Sequence, residues 1–359
     1  MFAATKRLDK INYLINFYKL MAILFVVVFH ARDIIPGGGV YEHGYIAVDF
    51  FFVVTGFYIA KKILETNDIN NIINPYLYTV KKAGRIFPTH LICILVLVVY
   101  CVVCDKMYLI NGDVFFEIFF ANRVGFTEYS LNGPDWFLSS VFFVTFIVYG
   151  LFYFGKKNNK INEIIFICNI VAIVALAVCL QKGGRWGLGV HSFLLCDFLD
   201  VGILRGFWGA MLGVNSYVLL HKIPDCKNKA LSYAVEFLVF LLFLWVMIGK
   251  APGKALDVFS SLLFCLIIIS CYKVRGVISY ISESSFVKWL SELELTIYLS
   301  HLFIMYNYEY ICKLLGINGG TVSCLLIVII WSVCILFLVR LFTGFYSRTL
   351  DRVIRNFSK

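Results

Sequence analysis

Charge is scarce in this chain. Only 15% of its 359 residues are Asp, Glu, Lys or Arg, against about 25% in an ordinary soluble domain. Hydrophobic residues make up 61%, and mean hydropathy is +0.85. No polar stretch is long enough for a separate soluble domain, so one membrane domain is expected from end to end. P-loop, His-Glu-x-x-His and dinucleotide-binding motifs are missing, as are fixed-period repeats and low-complexity tracts. Lys6, Arg7 and Lys10 precede the first apolar run, but no small-residue cleavage site follows it, so no cleavable signal is expected. The 12 cysteines are scattered through apolar runs and read as small core hydrophobes. Cys101 and Cys104 form a C-x-x-C with no second Cys or His pair close by, so a metal is not expected and a disulfide is left open.

What is abundant is long apolar sequence. Ten stretches have about the length that a hydrocarbon core of ~30 Å requires: Tyr13–Ile35, Tyr45–Leu64, Ile86–Cys104, Trp136–Phe154, Ile164–Leu180, Val201–Leu220, Ala230–Ile248, Asp257–Cys271, Leu293–Leu315 and Thr321–Phe345. The expectation is an all-α integral membrane fold of about ten transmembrane helices. Val114–Phe120 is apolar but too short to cross and reads as interfacial. With the N-terminus placed in the cytoplasm, most of the 32 Lys and Arg fall on inside segments, among them Lys61, Lys62, Lys81, Lys82, Arg85, Lys273, Arg275, Lys288, Arg348, Arg352, Arg355 and Lys359. The positive-inside rule then puts both termini in the cytoplasm. The net charge of +10 follows from topology and anionic lipid, and no nucleic-acid partner is needed. Three outer segments exceed tight turns: Arg32–Gly44 with Glu42 and His43, Asp105–Asp135 with mixed charges, and Gln181–Asp200 with Arg185, Trp186 and His191.

Few ionisable residues lie within the spans, and such residues are costly and usually functional. Lys19 alone would read as a lysine snorkelling to the head groups. His30, however, lies eleven residues further on, which on an α-helix returns to within about 20° of the same face, roughly 16 Å along the axis. His30 is a candidate general base, with Asp49 as a candidate partner to orient its ring. Lys82 and Arg85 enter the third span as a candidate cradle for phosphate groups, with Pro88 expected in the first turn of that span. Thr55 and Gly56 read as small residues permitting close helix contact. Trp136 opens the fourth span. Arg205 lies inside the sixth, followed by Gly206, Gly209 and Gly213, with Asp197 and Asp200 as candidate partners. Tyr298 and His301 lie inside the ninth span as substrate or pore candidates. Ser300 adjoins His301, but neighbouring helical residues point about 100° apart, so a Ser–His hydrolase pair is discounted.

In this order and on these spans, the segments resemble membrane acyltransferase family 3, O-acyltransferases that modify bacterial surface glycans. The resemblance rests on Lys19 and His30, on Lys82 and Arg85 followed by Ile86-Phe87-Pro88, on Asp49 through Phe57, on Trp136-Phe137-Leu138, and on Tyr298-Leu299-Ser300-His301. Two departures matter. Many members carry Arg where Lys19 stands, and many carry Glu where Val141 stands. Some members add a periplasmic hydrolase-like domain, which is not expected here. The resemblance implies acetyl-CoA or another acyl-CoA as co-substrate, with Lys19, Lys82 and Arg85 near its phosphates, and a surface polysaccharide or lipid-linked glycan as acceptor. No metal is expected. Membrane lipids are expected partners, and a homo-oligomer is compatible with the pattern. The expected place is the bacterial cytoplasmic membrane. The competing readings are a membrane carrier or binding module for a small polar molecule such as an amino acid, and a structural subunit of a polysaccharide export complex.

Overall fold

The computed structural model describes residues 12–189, 194–196, 199–249 and 253–357. Lys6, Arg7, Lys10, His191, Asp197 and Lys359 lie outside the described residues, as do the side chains of Arg185, Trp186, Arg348, Arg352 and Arg355. The helices run in the order α1 (Tyr13–Ala31), α2 (Ala47–Leu64), α3 (Pro75–Val103), α4 (Val114–Ile118), α5 (Trp136–Lys157), α6 (Ile161–Lys182), α7 (Val201–Leu220), α8 (Lys229–Met247), α9 (Lys254–Lys273), α10 (Val277–Ser282), α11 (Ser285–Glu292), α12 (Glu294–Leu315) and α13 (Thr321–Phe357). A short antiparallel ladder, Leu194–Cys196 with Leu199–Asp200, precedes α7. Eight of the helices are long and apolar enough to cross a membrane. Helices α2 and α12 are comparable in length but carry more polar side chains. The protein is an all-α, multi-pass integral membrane protein.

Helix boundaries follow capping chemistry more closely than hydropathy. The Asn12 side chain caps α1 by accepting from Ile15 N at 3.1 Å, and Asn74 caps α3 by accepting from Leu77 N at 2.8 Å, with Pro75 next in line. Helix α3 therefore starts well before the apolar run at Ile86. Lys81, Lys82 and Arg85 sit inside it rather than ahead of it, and Pro88 lies in its interior rather than in its first turn. Near the end that carries these basic residues, α11 leaves Phe286 and Trp289 largely exposed, as an amphipathic helix lying in a membrane interface would. Lys288 of α11 sits 4.1 Å from the ring centre of Tyr13. The buried Glu236 carboxylate accepts from Gly276 N and Ile278 N at 2.9 and 2.8 Å, satisfying the start of α10.

The segment between α3 and α5 is more than an interfacial strap. The Phe120 ring stacks on His90 with centroids 4.5 Å apart, and His90 Nε2 donates to the Glu117 carbonyl at 2.9 Å. His90 is near the middle of α3, so the chain folds back against the helix midpoint. Several of its polar groups find partners within the protein, as a low-dielectric surround favours, although Asn132 Oδ1 and Asp135 Oδ2 are buried without a hydrogen bond among the described residues. The Glu117 carboxylate takes the backbone N–H groups of Leu131 and Asn132 at 2.6 and 2.7 Å. The His90 ring lies 3.3 Å from Asp135 Oδ2.

The closest helix pair is α2 with α7. A Cβ on Gly56 would fall 1.8 Å from the Ala210 carbonyl oxygen, and one on Gly213 would fall 1.9 Å from that of Val53. The small-residue stripe thus lets two backbones touch. Between the same helices, Arg205 Nε and Nη2 clasp Asp49 at 2.9 and 2.6 Å, and Nη2 also donates to the Tyr45 carbonyl at 3.1 Å. Both side chains are 1% exposed.

Two stability outcomes are expected for protein held in lipid nanodiscs. Gly213→Val forces α2 and α7 apart and lowers stability by about 1–3 kcal/mol, seen as a reduced midpoint of thermal unfolding. Asp49→Ala strands a buried guanidinium and costs about 3–5 kcal/mol, whereas pairing Asp49→Leu with Arg205→Met costs less than Asp49→Ala alone. A double variant less stable than Asp49→Ala would refute the pairing argument.

Candidate functional site

Lys82 and Arg85 lie three residues apart on α3, which places them on one face. That face lines a cavity of about 620 Å³ enclosed by α1, α2, α3, α5 and α12. Lys19, Lys62, Lys81, Lys82 and Arg85 all reach its wall, and Phe51, Val54, Phe137, Leu138 and Val141 supply apolar surface. Arg85 is exposed at the rim and Lys82 is half-buried. Lys82 Nζ donates to Thr145 Oγ1 at 2.9 Å and to Thr55 Oγ1 at 3.3 Å, both uncharged partners. Helical rotation separates the duties of neighbouring residues here: Thr55 faces the cavity while Gly56 abuts Ala210 on α7. Val141 is plain apolar wall.

Lys19 also lines the cavity, but its ammonium is paired with Glu294 Oε1, the first residue of α12. Glu294 is the cavity's one carboxylate among the described residues, and its Oε2 is buried without a hydrogen bond. Sequence reasoning missed it. The available signal was spacing: Glu294 stands four residues before Tyr298 and seven before His301, hence on their face of the helix. Tyr298 closes the far wall and donates to the Pro134 carbonyl at 2.9 Å.

One turn beyond Tyr298, His301 is fully buried. Its Nδ1 lies 2.7 Å from the Tyr298 carbonyl. A carbonyl only accepts, so Nδ1 carries the proton and a neutral ring presents a bare lone pair at Nε2. Among the described residues that nitrogen has no hydrogen-bond partner. The His30 ring lies against His301, centroid to centroid 5.1 Å and tilted by 40°, and His30 is exposed. The neighbouring Ser300 hydroxyl donates to its own helix at the Thr296 carbonyl, 2.6 Å away.

The candidate residues thus separate into three groups. Lys19, Lys82, Arg85 and Tyr298 line one cavity. His30 and His301 meet beyond it. Asp49, Arg205 and Trp136 form a third cluster outside the cavity wall, with the Arg205 guanidinium 5.7 Å from the Trp136 ring centre. Asp49, the candidate partner of His30, has both its carboxylate oxygens bonded by Arg205. Asp200 does not pair with Arg205. It caps α7 by accepting from Gly202 N at 2.6 Å, and burial pushes its carboxyl up to about 7. Asp49 is the nearer carboxylate because α2 packs so tightly on α7. Thr145, which steadies Lys82, and the His90–Asp135 pair also escaped sequence reasoning. Neither stands in a motif, and each gains its partner only through packing.

The acyltransferase domain family, family 3, matches residues 12–341. A Bacillus subtilis (strain 168) protein named "Putative peptidoglycan O-acetyltransferase YrhL" is 24% identical over 247 residues, which cover 62% of this chain and 36% of that protein. The chain therefore matches about a third of the length of that relative. No solved structure gives a significant match. A family match spanning nearly the whole bundle, cavity and histidine pair included, means that the chain belongs to the acyltransferase family 3 membrane proteins.

Proposed function

We propose that this protein moves an acetyl or other short acyl group from acyl-CoA to a hydroxyl of a cell-surface glycan or its lipid-linked precursor. The basic end of the bundle faces the cytoplasm and the donor enters there. The observation that carries the reading is the cavity itself, where Lys82 and Arg85 at the rim side meet apolar walls that lead to Tyr298. CoA has that polarity: phosphates at one end, a thin arm, and the thioester at the other. A guanidinium fork and an ammonium suit phosphate oxygens, and among the described residues the ammonium of Lys82 is met by the hydroxyls of Thr55 and Thr145 and by no carboxylate, which leaves its charge open to an anion. The family match supports acyl transfer, and the relative's name supports a cell-wall glycan as the class of acceptor.

His30 is placed to serve the acceptor. It is exposed at the end of α1 yet touches the buried His301. As the acceptor oxygen bonds to the thioester carbonyl carbon, His30 takes the hydroxyl proton. The tetrahedral centre then collapses, the C–S bond breaks, and CoA departs as the thiolate, which takes up the proton. A positioned base contributes about 10²–10⁴-fold to such a step.

Membranes incubated with labelled acetyl-CoA should pass label to glycan. His30→Ala should cut transfer by about 10²-fold or more with little change in KM for acetyl-CoA; a folded His30→Ala protein with full transfer would refute the assignment. Lys82→Met and Arg85→Gln should each raise that KM about 10–100-fold, the worth of a charge-assisted hydrogen bond. Uptake of a small polar solute with no CoA consumption would favour a carrier instead.

A further inference from the structure

Helices α1 and α12 are joined at two levels. At the lower level Lys19 pairs with Glu294. At the upper level the rings of His30 and His301 meet at 5.1 Å. The spacings agree with the helical period in angle, while the rise differs, about 16 Å on α1 and about 10 Å on α12. Eleven residues on α1 return to within about 20° of one face, and so do the seven residues from Glu294 to His301 on α12. Both contacts therefore lie along one seam. Rotating either helix by one residue's turn, about 100°, would break both contacts together.

We propose that Glu294 is a positioning residue of the transfer step: by holding Lys19 it fixes the register of α1 on α12 that sets the imidazole of His30 against that of His301. This rests on the acyl-transfer reading and assigns Lys19 a different duty from phosphate binding. Two features support it. The charge of Lys19 is already matched by a carboxylate, whereas Lys82 has only hydroxyl partners among the described residues. An anion entering the cavity gains more from Lys82 and Arg85 than from Lys19, where Glu294 would have to be displaced. The upper contact, moreover, depends on orientation. His301 is held by its own backbone through Nδ1, so its ring is restrained, and the placement of α1 sets where the His30 backbone lies relative to it. A general base must stand within about 3 Å of the proton it removes, so a small slip is enough to lower turnover.

The test uses full-length protein in nanodiscs, with Glu294→Gln, Glu294→Asp, Lys19→Met, and the exchanged pair Lys19→Glu with Glu294→Lys. CoA itself is the binding probe, and acetyl-CoA is the substrate. Glu294→Gln should lower kcat by about tenfold or more while the Kd for CoA and KM for acetyl-CoA stay within about threefold. Glu294→Asp should be milder, and the exchanged pair should recover most of the lost kcat. A Glu294→Gln protein with unchanged kcat overturns the proposal. So does a rise of about tenfold in KM with kcat preserved, which would return Lys19 to donor binding. An exchanged pair no better than the single variants also overturns it. Thermal unfolding of the same set, analysed as a double-mutant cycle between Lys19→Met and Glu294→Gln, reports folding and must show coupling between the two positions. No coupling sinks the register. If wild-type protein transfers no acyl group from acetyl-CoA and yet shows the coupling, the acyl-transfer reading has failed and the register stands.

Discussion

The structure depends on the backbone contact between α2 and α7. At Gly56 and Gly213 each helix runs against a main-chain carbonyl of the other, a distance available only where side chains are missing. Contact this close brings Arg205 within reach of Asp49. A buried ion pair is weak evidence for stability, since desolvation offsets much of the attraction, but losing one partner is costly. The pair therefore acts mainly against alternatives: a slipped or rotated α2 would leave a guanidinium in a low-dielectric interior. Because α2 is fixed on α7, its opposite face is fixed as well, and that face carries Thr55 into the cavity beneath Lys82.

The same rule governs the cavity. Five basic side chains converge on its wall, an arrangement that would repel itself in a dry interior. Three devices reduce the repulsion. Arg85 is exposed at the rim, where water screens it. Glu294 neutralises Lys19. The hydroxyls of Thr55 and Thr145 solvate Lys82 without matching its charge. The remaining positive potential is concentrated on α3, toward the open side, and the wall becomes apolar toward Tyr298. A ligand with an anionic head and a less polar tail is oriented by such a gradient before any specific contact forms.

Much of this was legible in the sequence, and the limits were physical. The number and order of the long helices follow from hydropathy, because a membrane interior punishes exceptions. Lys82 and Arg85 could be placed on one face by helical period alone. The start of α3 was misjudged because apolar content marks the hydrocarbon core, whereas Asn74 and Pro75 mark the helix. Those two signals diverge wherever a helix projects beyond the core. The partner of Arg205 was misjudged for another reason. Asp200 is close in sequence and Asp49 is distant, and the choice is made by the α2–α7 packing, which residue spacing on one helix does not encode. Glu294 lay in plain view at the head of the ninth span. A carboxylate there looks like an ordinary response to the helix dipole until α1 is seen to bring Lys19 beside it.

The folded-back segment before α5 completes the reasoning about position. Irregular backbone at helix-midpoint depth is tolerated where protein groups supply its hydrogen bonds. The partners used here also hold α12. The Asn132 side chain donates to Asp135 and to the Leu299 carbonyl, each at 2.9 Å, and Tyr298 donates to the Pro134 carbonyl. Two consecutive residues of α12 are thus tied to the 132–135 turn, and Glu294 and His301 meet α1. Held at these points, α12 has little freedom to rotate. Tyr298 and His301 then keep fixed positions between the cavity and the exposed ring of His30. The proposed acyl transfer needs such rigidity, because the reacting atoms of donor and acceptor must be held in one geometry.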